Sequence, residues 1–221
     1  MQHIYLHTEN LHYRPEILDH ITESKVKTIL DIGGSWNCWL GDRVTHMFDL
    51  HDPNTIKGMT TNSNKIKWFG GNINDYESWQ HIFDYVDQYG KFDFCNCTHT
   101  LEDLAYPEAA LKYMPRVAKA GFIAVPSKYW ELDRRQLFRG GVHHRWIFDH
   151  SNNQLVMYPK INLIEYMTLF KLDTTLQLLK EHGNTELRLL WQDDIDFTIA
   201  NNDYLGPTFE HVVNLYEALV C

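Results

Sequence analysis

Apolar residues come in short blocks separated by polar or glycine-bearing breaks, and the spacing inside each block predicts its element. Ile17, Leu18 and Ile21 recur at helical spacing behind Pro15, so a helix is expected from Pro15 to Ser24. Ile29, Leu30 and Ile32 surround Asp31 in a nearly continuous apolar run that breaks at Gly33-Gly34-Ser35. That is the pattern of a strand buried on both faces and opening into a turn. Cys38-Trp39-Leu40 resumes the apolar character, and a helix is expected from about Ser35. Val44 to Asp52 and Ile66 to Phe69 predict the second and third strands, the latter followed by a turn over Gly70 to Asp75. Asn74 with Glu77 fits a capping box for a helix whose stripe is Tyr76, Trp79, Ile82, Phe83 and Val86, closed by Gly90. Phe92 to Thr98 is a fourth strand. Pro107 opens a helix facing inward with Leu111, Met114 and Val117 and kinked at Pro115, and Gly121 to Pro126 is a fifth strand.

The alternation of strand and helix up to Pro126 predicts a parallel sheet with right-handed crossovers. Past Ser127 the pattern changes. Blocks at His144 to Phe148 and Leu155 to Tyr158 flank the turn-rich Asp149 to Asn153 and predict an inserted antiparallel hairpin, so residues 127–160 form an insertion within one domain spanning 1–221. Asn162 and Glu165 predict the start of a helical stretch that breaks near Asp173 and ends at Gly183. Glu186 to Trp191 and Ile195 to Ala200, joined by Gln192-Asp193-Asp194, predict a terminal antiparallel hairpin, and Pro207-Thr208 opens a last helix.

With 221 residues, 44% of them hydrophobic, the chain is long enough for one substantial core. The formal net charge of −9 repels a phosphate backbone, so duplex nucleic acid is a disfavoured partner. No stretch approaches the roughly 20 apolar residues that span a bilayer, and the first ten residues lack a leader pattern. A cytoplasmic setting is the default expectation. Two of the four cysteines, Cys95 and Cys97, share one strand, which fits reduced thiols better than a disulfide framework. With His99 they alternate along that strand, yet core packing is the expected reading and no metal site is expected. No pattern in the chain signals an oligomeric state.

Candidate chemistry gathers at the strand ends. Gly33 and Gly34 lack the Cβ atoms that would keep a ligand from the backbone, and the ligand crevice of an open α/β sheet lies above the carboxyl ends of its strands. Asp49 lies about 20 residues past the glycine turn, where an acid accepts the ribose hydroxyls of a nucleotide.

In order, Ile29-Leu30-Asp31-Ile32-Gly33-Gly34, Phe48-Asp49-Leu50, Gly71-Asn72-Ile73-Asn74-Asp75 and Thr98-His99-Thr100-Leu101-Glu102-Asp103-Leu104 resemble the motifs of class I S-adenosylmethionine-dependent methyltransferases. Pro107 to Leu111 and Arg116 to Gly121 extend the resemblance over Val26 to Pro126. It implies a Rossmann-like, doubly wound, mostly parallel seven-stranded sheet. It also implies S-adenosyl-L-methionine as cofactor, with Asp31, Gly33, Gly34 and Ser35 at the methionine moiety and ribose, Asp49 on the ribose hydroxyls, Asn72 and Ile73 at the adenine, and Thr98 and His99 beside the sulfonium. Ser35 and Asn37 depart from the family's Gly-x-Gly, and Asn72 stands where Asp is more frequent.

Methyl transfer is an in-line displacement that needs alignment and exclusion of water more than dedicated catalytic groups. A hydroxyl acceptor adds the need for a base, for which His99, Glu102, His143 and His144 are the candidates. Trp130, Arg135, Arg145 and Trp146 of the insertion are the candidate acceptor-binding residues, and a small-molecule or glycan-like acceptor is expected, methylated on oxygen or nitrogen. A catalytically silent S-adenosylmethionine- or nucleotide-binding module is the first alternative, and a nicotinamide-dependent dehydrogenase the second. The latter is disfavoured because Gly33-Gly34-Ser35-Trp36-Asn37-Cys38 lacks the Gly-x-Gly-x-x-Gly spacing.

Overall fold

The computed structural model describes residues 2–7, 15–34, 38–52, 55, 66–135, 138–166, 185–200 and 208–219. The parallel core of the sheet is built by β2 (Ile29–Ile32), β3 (His46–Asp49), β4 (Lys67–Gly70), β5 (Phe94–Thr98) and β6 (Ala120–Pro126), with β1 (Gln2–His7) and β11 (Glu186–Gln192) completing its far edge. The seven strands run in the order β1-β11-β6-β5-β2-β3-β4. All are parallel except β11, which is antiparallel to both of its neighbours.

Helices cover both faces. On one, α1 (Pro15–Glu23) buries Ile17 and Ile21 against Ile29, Met47, Phe94 and Phe122. On the other, α2 (Tyr76–Tyr89) and α3 (Pro107–Val117) bury Trp79, Ile82, Leu111 and Met114 against Leu30, Phe48 and Cys95. Trp79 is wholly buried and donates its Nε1–H to the Ile73 carbonyl at 2.8 Å, so its polar tip is satisfied inside the core. This is the Rossmann-like doubly wound architecture that the sequence predicts, with its one antiparallel strand, β11, next to the edge. Among the described residues no helix is long and apolar enough to cross a membrane.

Five local expectations change. No α-helix follows the glycine turn among the described residues. Cys38 and Leu40 instead tuck into the core from a turn, and a single 3₁₀ turn, Gly41–Arg43, leads to β3. Gly41, at φ 56°, takes the left-handed conformation that stops helix growth there. The N-cap of α2 is Asp75 rather than Asn74, whose Oδ1 accepts the Tyr106 N–H at 3.0 Å and so ties the turn after β4 to the start of α3.

The terminal hairpin does not form. β11 already has β1 and β6 on its two edges, Asp193 turns the chain through a left-handed φ of 70°, and β12 (Phe197–Ile199) pairs with the insertion instead. The fourth change is β1 itself, an edge strand that the sequence pattern did not single out.

The insertion opens with α4 (Lys128–Leu132), capped by Ser127 Oγ, which accepts from the Trp130 N–H. After the short pair β7 (Arg134–Arg135) and β8 (Phe138–Arg139) comes the predicted hairpin, β9 (Trp146–Ser151) and β10 (Gln154–Pro159). Its turn is tighter than expected, with Asn152 and Asn153 at φ 50° and 62° as a two-residue primed turn requires. Asn153 then fastens the hairpin to β1, its Oδ1 accepting the Ile4 N–H at 3.0 Å. α5 (Leu163–Tyr166) is the described start of the next helical stretch; the predicted break at Asp173 and end at Gly183 lie outside the described residues. α6 (Phe209–Ala218) is capped as expected by Thr208, and its Tyr216 closes a small cluster with Leu132, Ile147 and Ile164.

Candidate active site

The parallel strands deliver their carboxyl ends to one edge of the sheet, and the candidate residues sit along it in strand order. Asp31 in β2 is buried, and its Oδ2 accepts from Asn96 Nδ2 at 2.7 Å and from the Cys38 thiol at 3.4 Å. Trp39 Nε1 donates to Asn96 Oδ1 at 3.2 Å, so an amide on β5 orients the acid. Among the described residues, Oδ1 of Asp31 has no hydrogen-bond partner. Burial, and secondarily the charge of nearby Asp49, raise the Asp31 pKa to about 6 against the pull of Asn96 and Cys38.

Gly33 takes φ 77°, and a Cβ there would lie 2.3 Å from Thr100 Oγ1; at Gly34 a Cβ would lie 1.8 Å from Asp31 Oδ1. Both glycines are thus required by the chain's own side chains before any ligand approaches, a different reason from the one the sequence suggested. Thr100 was missed as a participant. Its hydroxyl lies within 3.5 Å of the Ile32, Gly33 and Thr98 carbonyls and knits the glycine turn to the end of β5. Ser35 lies outside the described residues.

At the end of β3, Asp49 is buried beside the turn and its Oδ1 accepts the His51 N–H at 2.8 Å. After β4, Asn72 Oδ1 already accepts the Asn74 backbone N–H and side-chain amide, each at 3.1 Å, while Ile73 packs into the core. Thr98 ends β5 half-buried, and His99 follows it in the left-handed region at φ 51°.

That conformation turns the His99 ring between two acids. Nε2 lies 2.9 Å from Glu186 Oε1 and Nδ1 3.5 Å from Glu102 Oε1. Burial works against the imidazolium, but its bonds to Glu102 and Glu186 prevail and hold its pKa up to about 9. Glu186 is itself held by the fully buried Arg188, whose Nε donates to Glu186 Oε2 at 2.5 Å. His99 therefore stands as a cation at neutral pH.

A cleft of about 230 Å³ joins this group to the insertion, lined by His99, Glu102, Asp103, Trp130, His143 and His144 among others. His144 stacks on Trp130 at 5.5 Å, and its Nδ1 is hydrogen-bonded to Glu131. Burial opposes its protonation, but Glu131 wins and raises the pKa. Lys160 Nζ pins this loop by donating to Glu131 Oε2, Arg139 O and Gly141 O at 2.7–2.9 Å. Arg145 is exposed, its backbone N–H bonded to the Glu102 carbonyl, and Trp146 donates Nε1–H to the Leu104 carbonyl at 2.9 Å. Arg135 lies on β7; its side chain is outside the description. Glu131, Lys160, Glu186 and Arg188 are the members that sequence reasoning missed. Cys95 and Cys97 pack in the core, where burial pushes their thiols up and keeps them protonated.

No family model matches the chain, and no curated protein does. Among solved structures it is similar to the methyltransferase domain of the bacterial CtHen1 protein at 11% identity, covering 80% of this chain and 96% of that one with a TM-score of 0.43. It is also similar to the N-terminal domain of EvdMO1 with SAH bound, at 12% identity, 85% and 82% coverage and a TM-score of 0.44. A putative sarcosine dimethylglycine methyltransferase from Galdieria sulphuraria matches at 10% identity, 81% and 84% coverage and a TM-score of 0.42.

Proposed function

We propose that the protein is an S-adenosylmethionine-dependent methyltransferase acting on a small-molecule or glycan-like acceptor. The observation that carries the proposal is Asp31: a buried carboxylate at the crevice edge of the sheet, with one oxygen orphaned and a second acid, Asp49, close enough to raise its pKa. An orphaned buried carboxylate oxygen is costly, and the ammonium of a bound methionine moiety is a fitting partner. Asp49, at the end of the neighbouring strand, would hold the ribose hydroxyls. The adenine would meet Ile73 and the Asn72 side-chain amide rather than its carbonyl, which Asn74 occupies.

When bound, S-adenosylmethionine supplies an electrophilic methyl on a positive sulfur. The chain's own residues align and shield. Thr98 would border the sulfonium, and Trp130, Trp146 and Arg145 would present stacking faces and a cationic donor to the acceptor. Glu102 faces the cleft as a proton-handling group. His99, held as a cation by its two acids, would orient an electron-rich acceptor atom rather than remove its proton.

The experiment is calorimetric titration with S-adenosylmethionine beside NAD, followed by incubation with labelled cofactor and pooled small-molecule and glycan extracts. Saturable S-adenosylmethionine binding with acceptor-dependent label transfer is expected. Binding without transfer across broad pools would instead favour a silent cofactor-binding module, and preference for NAD would overturn the cofactor.

A further inference from the structure

Asp103, His143 and His144 come from two places far apart in sequence, the 3₁₀ turn after β5 and the loop between β8 and β9, yet their ligand atoms lie within 4.8 Å of one another. Nε2 of His143 and Nε2 of His144 each lie 3.8 Å from the same oxygen, Asp103 Oδ1. A cation bound by nitrogen and oxygen at about 2.1 Å sets its donors about 3–3.5 Å apart, so a small rotation of the exposed His143 and Asp103 side chains closes the set. Two imidazoles and one carboxylate on one face, leaving the opposite positions open, is a recognised donor set for divalent first-row metals.

Two further observations point to a cation. His144 gives its Nδ1 to the buried carboxylate of Glu131, itself fixed by Lys160, which leaves Nε2 directed toward Asp103. A carboxylate behind the far nitrogen is how metal-bound histidines are oriented and made more basic. In addition Glu102, 1% exposed and lining the same cleft, has its Oε1 3.5 Å from His99 Nδ1 but carries an Oε2 without a hydrogen-bond partner among the described residues. A buried carboxylate oxygen without a donor favours a positive ligand nearby.

We propose that Asp103, His143 and His144 form a binding site for one divalent transition-metal ion of the Mn²⁺, Fe²⁺, Co²⁺ or Zn²⁺ class, with Glu131 as the group that orients His144. The nitrogen donors disfavour Mg²⁺ and Ca²⁺ as preferred occupants. On the methyl-transfer proposal above, the open positions would take an oxygen of the acceptor and favour its deprotonated form. The metal site itself does not depend on that proposal.

Titration of the EDTA-treated protein with MnCl₂, followed by electron paramagnetic resonance and calorimetry with neither S-adenosylmethionine nor acceptor present, tests the site. One saturable Mn²⁺ per chain is expected, with His143→Ala and Asp103→Asn each weakening it at least tenfold. Both side chains are largely exposed, at 68% and 43%, so both variants are expected to melt like the metal-free wild type while losing the rise in melting temperature that metal confers. Absence of saturable binding to Mn²⁺ or to ZnCl₂, or equal affinity in wild type and both variants, overturns the site. S-adenosylmethionine affinity, measured separately, is expected to be unchanged in both variants, so failure of the metal site is distinguishable from failure of the cofactor assignment.

Discussion

At the residue scale, the pair of acids on adjacent strand ends makes two separable predictions. Asp49→Ala removes charge-assisted hydrogen bonds of about 1.5–3 kcal/mol each, so S-adenosylmethionine affinity should fall at least about tenfold by calorimetry. The His51 N–H loses its Asp49 acceptor in this variant, so its folding is checked alongside. Unchanged affinity in a folded variant rejects the ribose assignment. Asp31 predicts a pH effect instead: with its pKa raised to about 6 by burial, protonation below that pH removes the charge that the cofactor's ammonium would meet. Affinity should therefore decline toward about tenfold per pH unit below pH 6, and Asp31→Asn should flatten that decline. The identities of Asp31, Asp49 and His99 were legible because each stands next to a break in a local pattern. Asn96, Thr100, Glu131 and Glu186 were not, since their roles depend on partners brought together only by the fold.

At the element scale, local periodicity marked β2 to β6, α1 to α3 and the insertion hairpin within a few residues. It failed where an element's state is set by distant partners. Gln2–His7 becomes a strand where β11 offers it an edge, and Phe197–Ile199 follows β10 because β11 has no free edge left. The insertion carries the third prediction. Trp130 stacks on His144 at the cleft beyond β6, whereas Asp31 and Asp49 lie two and three strands away on β2 and β3. Trp130→Ala and Arg145→Ala should impair acceptor turnover while leaving S-adenosylmethionine affinity close to wild type. Loss of cofactor binding in both folded variants would put the insertion over the cofactor, and normal turnover in both would make it structural.

At the scale of the whole molecule, two buried groups on opposite sides of β3 and β2 impose opposing pH dependences on stability. His46 packs among Phe69, Tyr85 and Phe92, and burial first and the Lys67 charge second lower its pKa to about 4. The unfolded chain protonates it near the ordinary 6.5, so the stability present above pH 6.5 is lost as pH falls toward 4. Asp31 has the opposite sign: its folded pKa of about 6 lies above the ordinary 3.8, so stability present at pH 3.8 is lost as pH rises to 6. Each shift corresponds to about 3 kcal/mol at about 1.4 kcal/mol per pKa unit, and the two windows overlap almost completely. His99, with its pKa raised to about 9, titrates differently between the states only above pH 6.5 and so stays out of this range. The wild-type protein is therefore expected to show a nearly flat stability between pH 4 and 6.5 in urea unfolding. His46→Phe, which keeps the aromatic packing, should unmask Asp31 and become more stable as pH falls across that range. Asp31→Asn should unmask His46 and become less stable over the same interval. Parallel pH profiles in wild type and both variants would mean that these two groups do not govern acid stability.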